Sequence, residues 1–231
     1  MPYFYLDYWY IVLVVPALLL AFWAQINVNT TFSRYSKVTA PSGMTGAESA
    51  RRVLEANGVV GVRIERISGN LTDHFDPKTN TIRLSENVYD ATTVSAVGVA
   101  AHEAGHAVQY AVGYSPMKLR AAIIPATNIG SQLAMPLVLL GLILSSAMLV
   151  DIGILAFSMS TLFQLVTLPV EFNASRRAVA ALEAGCASGT EVKGAKAVLR
   201  AAALTYVAAL AVSLASLLRL ILLFGGRNRR D

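Results

Sequence analysis

Apolar positions in this chain gather into four long runs, and the segments between them switch polarity on much shorter periods. The first run, Tyr8 to Ala24, has aromatic residues at both ends, no basic segment ahead of it and no small-residue cleavage site behind it. It reads as a membrane anchor, not a signal peptide, with Asp7 just outside. Polarity rises after Gln25 through Thr30, Thr31, Arg34 and Lys37 to a turn at Pro41-Ser42-Gly43. Thr45-Gly46-Ala47-Glu48 is a capping box, opening a helix that carries Ala50, Val53 and Leu54 on one face and stops at Gly58. Val59 to Ile67 is rich in β-branched residues and predicts a strand. A second strand around Leu71 to Phe75 meets a third, Thr81-Ile82-Arg83-Leu84, across the turn Asp76 to Asn80. A helix over roughly 90–112 follows, ending at Gly113.

Three further apolar runs complete the pattern. Ile123 to Val150 is long enough to span a bilayer, with Pro125 and Pro136 as expected kinks. Ile152 to Leu168 is short for a span, and a hairpin turn is expected near Asp151. Pro169 marks a kink or the first turn of a new helix. Leu199 to Phe224 is the last run, closed by Gly225-Gly226 and a basic tail with Arg227, Arg229 and Arg230. The expected organisation is therefore an anchor helix (1–25), an α+β unit (26–120), a transmembrane hairpin (121–168), a helix (169–198), a last span (199–225) and the tail (226–231). The expected fold class is integral membrane and mostly α, about four transmembrane helices with a small α+β unit.

Composition agrees with that class. The 231 residues are 55% hydrophobic and only 14% charged, with a mean hydropathy of +0.54, whereas soluble domains carry nearer a quarter charged residues. The net charge of +5 sits beside apolar spans, where lipid headgroups account for it, so nucleic acid is not an expected partner. Cys186 is the single cysteine, which excludes an intramolecular disulfide and a thiolate cluster. Any metal must be held by nitrogen and oxygen.

The candidate chemistry lies in His102-Glu103-Ala104-Gly105-His106, an HExxH string holding two of the three histidines. On a helix, residues four apart share a face, so both imidazoles can reach one ion, while Glu103 stays close enough to act as general base on a water there. Gly105 costs about 1 kcal/mol relative to alanine inside a helix, which suggests that something approaches the backbone closely. Catalytic zinc takes three protein ligands. Among the downstream acids, Asp151 and Asp231 should fall across the membrane. Glu171, read as lying at a helix start after Pro169, fits best as the third ligand. Glu183 is read as bridging on its own helix and Glu191 as capping the last one. His74 competes as a ligand, as a hydrogen-bonding group at the transition state, or as a plain surface residue. Oxyanion donors are sought among His74, Tyr110, Tyr114 and Arg177, and the strand Thr81, Ile82, Arg83, Leu84 is a candidate for edge pairing with an extended substrate.

In order along the chain, Asp73-His74-Phe75-Asp76-Pro77, His102 to His106 and Leu168 to Arg177, together with Ala201 to Tyr206 at the last span, resemble the bacterial YugP-type membrane zinc metallopeptidases. More loosely they resemble the HtpX-type membrane gluzincins. The resemblance implies one zinc ion per chain and hydrolysis of peptide or membrane-protein substrates. In the gluzincins an E-x-x-x-D helix completes the site. Here Glu171 matches the glutamate, but the position four residues on is Ser175, leaving Asn173 or Ser175 to support the histidines. Two other readings are an intramembrane protease whose HExxH helix itself spans the bilayer, and a metal-binding scaffold or adaptor. With four crossings, residues 25–120 and 169–200 share one side. The basic residues near span ends, among them Arg34, Lys37, Lys118, Arg120, Lys193 and Arg200, then place that side in the cytoplasm of a bacterial plasma membrane.

Overall fold

The computed structural model describes residues 7–225; the basic tail lies outside them. Four helices are long and apolar enough to cross a membrane, Tyr10–Tyr35, Ser115–Ile143, Ala147–Gly185 and Gly189–Phe224, and the chain is a membrane protein with a small three-stranded sheet. Its elements run in the order α1 (Val15–Tyr35, entered through a π-helical turn at Tyr10–Val14), α2 (Gly46–Ala56), β1 (Arg63–Ile67), β2 (His74–Asp76), β3 (Thr81–Ser85), α3 (Glu86–Tyr89), α4 (Val94–Ala111), α5 (Ser115–Ile143), α6 (Ala147–Ala181) and α7 (Gly189–Phe224). They divide into two compact units. One comprises Gln25–Lys118 with Pro169–Leu204, the other Met1–Ala24, Leu119–Leu168 and Thr205–Asp231.

In the membrane unit, close packing replaces the hydrophobic effect, which gives no preference for protein over lipid tails. The α5–α6 hairpin is built on glycine. A Cβ at Gly130 would lie 2.9 Å from the carbonyl oxygen of Ala156, and one at Gly153 equally near that of Ala134. Thr161 and Ser213 join α6 to α7 through a 2.8 Å hydroxyl bond. Asp7 caps the first turn through Tyr10 N (2.9 Å) and accepts from Arg219 Nε at 2.8 Å, while the Arg219 guanidinium lies 5.2 Å from the Tyr10 ring centroid. The large side chains exposed on these helices, such as Leu19, Phe22, Ile129 and Leu155, suit a lipid-facing surface.

The second unit has its own core, in which Met44, Val53, Leu54, Ile82, Leu84, Val88, Val97 and Val108 meet Ala178, Leu182, Ala195 and Leu199. Thr45 and Glu48 make both bonds of the capping box at the start of α2, and Ser49 Oγ donates to Val97 O, pinning α2 to α4. Glu191 sits fully buried at the start of α7, accepting from Ser188 N and from the Ser42 hydroxyl. Gly98 lets α4 lie against Ala195, whose Cα and Cβ stand 3.2 Å from where a Cβ would be.

Several expected boundaries moved. The first helix does not end at Ala24 but continues to Tyr35, because Thr30 satisfies its hydroxyl within the helix on Ile26 O and no helix breaker intervenes. The hairpin turn falls at 144–146, where Ser145 takes a φ of 54°, so Asp151 is inside α6. Pro169 begins nothing: α6 passes straight through it, as membrane helices tolerate when neighbours satisfy the freed carbonyl. Glu171 is accordingly a mid-helix residue. The strand expected over 59–67 is limited to Arg63–Ile67, and α7 starts ten residues before Leu199, at Gly189.

β3 lies in the middle of the sheet, parallel to β1 and antiparallel to β2. Thr81, Ile82 and Arg83 therefore have both edges paired and Leu84 is paired to β1, and the expectation that this strand adds a substrate strand is corrected; the outer strands are β1 and β2. The β2–β3 turn is organised by Asp76, which accepts from Lys78 N (2.9 Å), Thr79 Oγ1 (2.8 Å) and Arg83 Nη1 (3.0 Å).

The Thr79 and Arg83 bonds hold the Asp76 carboxyl well below its ordinary pKa of 3.8. A depressed folded-state pKa stabilises the fold above the unfolded value and loses that contribution as pH falls through the folded one. The thermal midpoint of the wild type in detergent should thus exceed that of Asp76→Asn at neutral pH. The gap should narrow as the pH drops below about 4; a gap independent of pH would contradict this account of the turn.

Candidate metal centre

The HExxH string folds as part of α4, which Thr93 caps through a side-chain bond to Ala96 N. Most of that helix is buried in its own unit, including Glu103 and His106. The helix is not among the four apolar enough to cross the bilayer. His102 and His106 stand edge to face, ring centroids 4.7 Å apart, on one side of α4. Glu171 comes to them from α6. Its Oε2 lies 3.2 Å from His102 Nε2 and 3.5 Å from His106 Nε2, and the carboxylate is only 2% exposed. One ligand atom from each of the three residues lies within 4.8 Å of the others.

Those separations permit a test of fit. Zinc at 2.0–2.1 Å from each ligand in tetrahedral geometry holds its ligands about 3.3 Å apart. The two carboxylate-to-imidazole distances bracket that value, the remaining separation is within 4.8 Å, and two imidazoles with one carboxylate form a donor set typical of catalytic zinc. The residues fit the ion.

What lets α6 come so close is Gly105. A Cβ there would lie 2.5 Å from the carbonyl oxygen of Ala174 and 3.1 Å from its carbonyl carbon. Backbone meets backbone at this point, three residues past Glu171. The close approach expected from a glycine inside the helix is thus present, and α6 is what approaches.

Each imidazole is held on its far side. His102 Nδ1 lies 3.1 Å from Ser175 Oγ, the position where the gluzincin pattern has aspartate. His106 Nδ1 meets Gln109 Oε1 at 3.0 Å. Gln109 in turn donates to Val170 O (2.8 Å) and to Asn173 Oδ1 (3.0 Å), and Asn173 Oδ1 also accepts from Arg177 Nε at 2.8 Å. Burial works against a charged His106, but the hydrogen bond to Glu171 and the charges of Glu103 and Glu171 outweigh it, so its pKa is raised. Glu103 is 9% exposed and makes no hydrogen bond to another described residue, which leaves its carboxylate available to a small molecule at the site.

Not every candidate converges. His74 is exposed at the start of β2, its Nδ1 bonded to Thr72 O at 2.8 Å, and is not one of the three residues whose ligand atoms come together. Tyr110 is half exposed with its ring 5.7 Å from that of Phe75, and Tyr114 lies in the loop after Gly113. Arg177 has its Nε committed to Asn173. Gln109 escaped notice in the sequence, where it looks like one more residue closing the helix. Its spacing of three from His106 was the available signal, since residues three apart share a helix face.

An integral membrane protein with a short sheet, an HExxH helix and a glutamate from a second helix is of the zincin type. The chain belongs to the family described as "Putative neutral zinc metallopeptidase", whose model matches residues 10–225. It is 49% identical over 223 residues to "Putative membrane protease YugP" of Bacillus subtilis (strain 168), a match covering 96% of this chain and 98% of that protein. No solved structure matches.

Gly105→Ala should gain up to about 1 kcal/mol of helix propensity but lose about 1–3 kcal/mol to overpacking, because the obstacle is backbone. The expected outcome is a lower thermal midpoint together with weaker zinc retention on gel filtration. A variant as stable and as metal-rich as wild type would show that the α4–α6 contact does not govern the site.

Proposed function

We propose that this chain is a membrane-embedded, zinc-dependent endopeptidase with His102, His106 and Glu171 as metal ligands and Glu103 as general base. The observation that carries the reading is one carboxylate oxygen at tetrahedral-zinc separations from two Nε2 atoms, beside a buried carboxylate, Glu103, with no hydrogen-bond partner among the described residues. Zinc bound there would polarise a peptide carbonyl and lower the pKa of a coordinated water to about 7.

The chain's own residues do the rest. Glu103 takes the proton of the attacking water and delivers it to the departing amine, so one group serves both halves of the reaction. Its position next to His102 in sequence puts it on the flank of the ligand pair, close enough to act and turned far enough away not to ligate. Burial of Glu171 and His106 keeps bulk water from competing for the ligands. A closed structural site would use four protein ligands and need no base, so Glu103 favours an enzyme over a scaffold.

Glu103→Gln should retain zinc, measured by metal analysis of the purified protein, while cleavage of a peptide library falls by about 10²–10⁴-fold. Glu171→Ala should lose the zinc itself. Full cleavage by Glu103→Gln would remove the mechanism, and undiminished zinc in Glu171→Ala would remove the ligand set.

We infer further that the unit holding the site faces the cytoplasm, since the basic residues flanking the spans, among them Arg34, Lys37, Lys118 and Arg200, fall on its side. In a Cys186→Ser background, Lys37→Cys should be protected from an impermeant thiol reagent added to intact bacterial cells and react after the membrane is opened. Labelling in intact cells would reverse the assignment.

A further inference from the structure

Behind the two imidazoles lies a directional chain of hydrogen bonds that the mechanism above does not use. Arg177 sets its direction. A guanidinium has donors only and keeps its charge in proteins, so the atom 2.8 Å from Arg177 Nε must accept. That atom is therefore the side-chain oxygen of Asn173, not its nitrogen. Gln109, 3.0 Å away, has to point its amide nitrogen at the same oxygen, and the second hydrogen of that nitrogen goes to Val170 O. Both amide hydrogens are then used, which turns Gln109 Oε1 toward His106 Nδ1 at 3.0 Å. Gln109 is fully buried, so flipping the amide would set its oxygen against Val170 O and Asn173 Oδ1 with no water to compensate.

An amide oxygen has only lone pairs to offer. A neutral His106 ring bonded to Gln109 carries its proton on Nδ1, against the pull of the Glu171 carboxylate on Nε2, and so keeps the Nε2 lone pair for a metal. A free histidine side chain in water favours the opposite form, with the proton on Nε2, and that form cannot ligate through Nε2. His102 is treated differently. Its Nδ1 partner is the hydroxyl of Ser175, which can donate or accept and so imposes no tautomer.

We propose that Arg177, Asn173 and Gln109 are positioning residues that lock His106 in the tautomer able to bind metal through Nε2, while His102 is left free to adopt it. The proposal rests on the zinc reading of the site. It also moves Arg177 from a candidate oxyanion donor to the polarity-setting end of a buried relay, and it gives the two histidines of one motif unequal roles.

The full-length protein in detergent, labelled with ¹⁵N-histidine, metal-free at alkaline pH and carrying Glu171→Ala so that no carboxylate competes for a proton on His106 Nε2, provides the test of the tautomer; zinc affinity is read in chains that keep Glu171. With three histidines in the chain, each ring is assigned by a single histidine substitution. With Gln109, Asn173 and Arg177 intact, His106 should there carry its proton on Nδ1. In Gln109→Met and in Asn173→Leu it should shift toward the Nε2-protonated form, and zinc affinity, measured by competition with a chelator, should fall about 10–100-fold. Asn173→Asp should restore both, since a carboxylate accepts from Gln109 and Arg177 alike. Ser175→Ala should leave the His106 tautomer unchanged.

A His106 protonated on Nε2 in the Glu171→Ala protein, with the relay residues intact, would overturn the proposal. So would Gln109→Met and Asn173→Leu proteins with unaltered tautomer and unaltered zinc affinity. A wild type that bound no zinc, with His106 protonated on Nδ1 in the Glu171→Ala protein, would instead sink the metalloenzyme reading and leave the relay standing.

Discussion

One backbone contact governs the chemistry of this protein. Packed helices usually stand 8–10 Å apart because side chains intervene. At Gly105 nothing intervenes, and α6 presents the Ala174 carbonyl to the helix surface directly. Glu171, one helical turn before Ala174, then has a side chain just long enough to reach both imidazoles. Were α6 held off by a methyl group, the carboxylate would have to stretch toward histidines that sit fixed on α4. The glycine thus costs α4 some helix stability and gives the site its third carboxylate.

Electrostatics follow from that geometry. Two carboxylates, Glu103 and Glu171, are buried near two imidazoles, and a buried carboxylate is expensive unless something positive accompanies it. The raised pKa of His106 expresses the same preference for positive charge. The outer contacts, in contrast, carry no net demand of their own: every hydrogen of the Gln109 amide and the shared Asn173 oxygen has a partner, in a network that specifies direction as well as position.

The two units solve the packing problem in different ways. Among the spans, glycines and hydroxyls bring helices together where burial of apolar surface gives no advantage over lipid. In the other unit a water-type core of valine, leucine and methionine surrounds α4. Its capping box, its Asp76 turn and the buried Glu191 at the start of α7 are polar devices suited to an aqueous boundary.

The local pattern alone determined a good deal. Four apolar runs, the Thr45 cap, the stops at Gly58 and Gly113 and the HExxH face were legible because each depends on a few neighbouring residues. Gly105 even announced a close approach, though not by what. Helix ends inside the spans were not legible: Tyr35, Gly189 and passage through Pro169 depend on how neighbouring helices satisfy the backbone, which composition does not encode. The sheet order, with β3 in the centre and so without a free edge, is a non-local choice between pairings of equal local merit. Gln109 was hidden for the same reason. A buried glutamine acquires meaning only from what surrounds it, and its partners Val170 and Asn173 lie more than sixty residues away, joined to it by the packing of α6 on α4 and by nothing in the order of the chain.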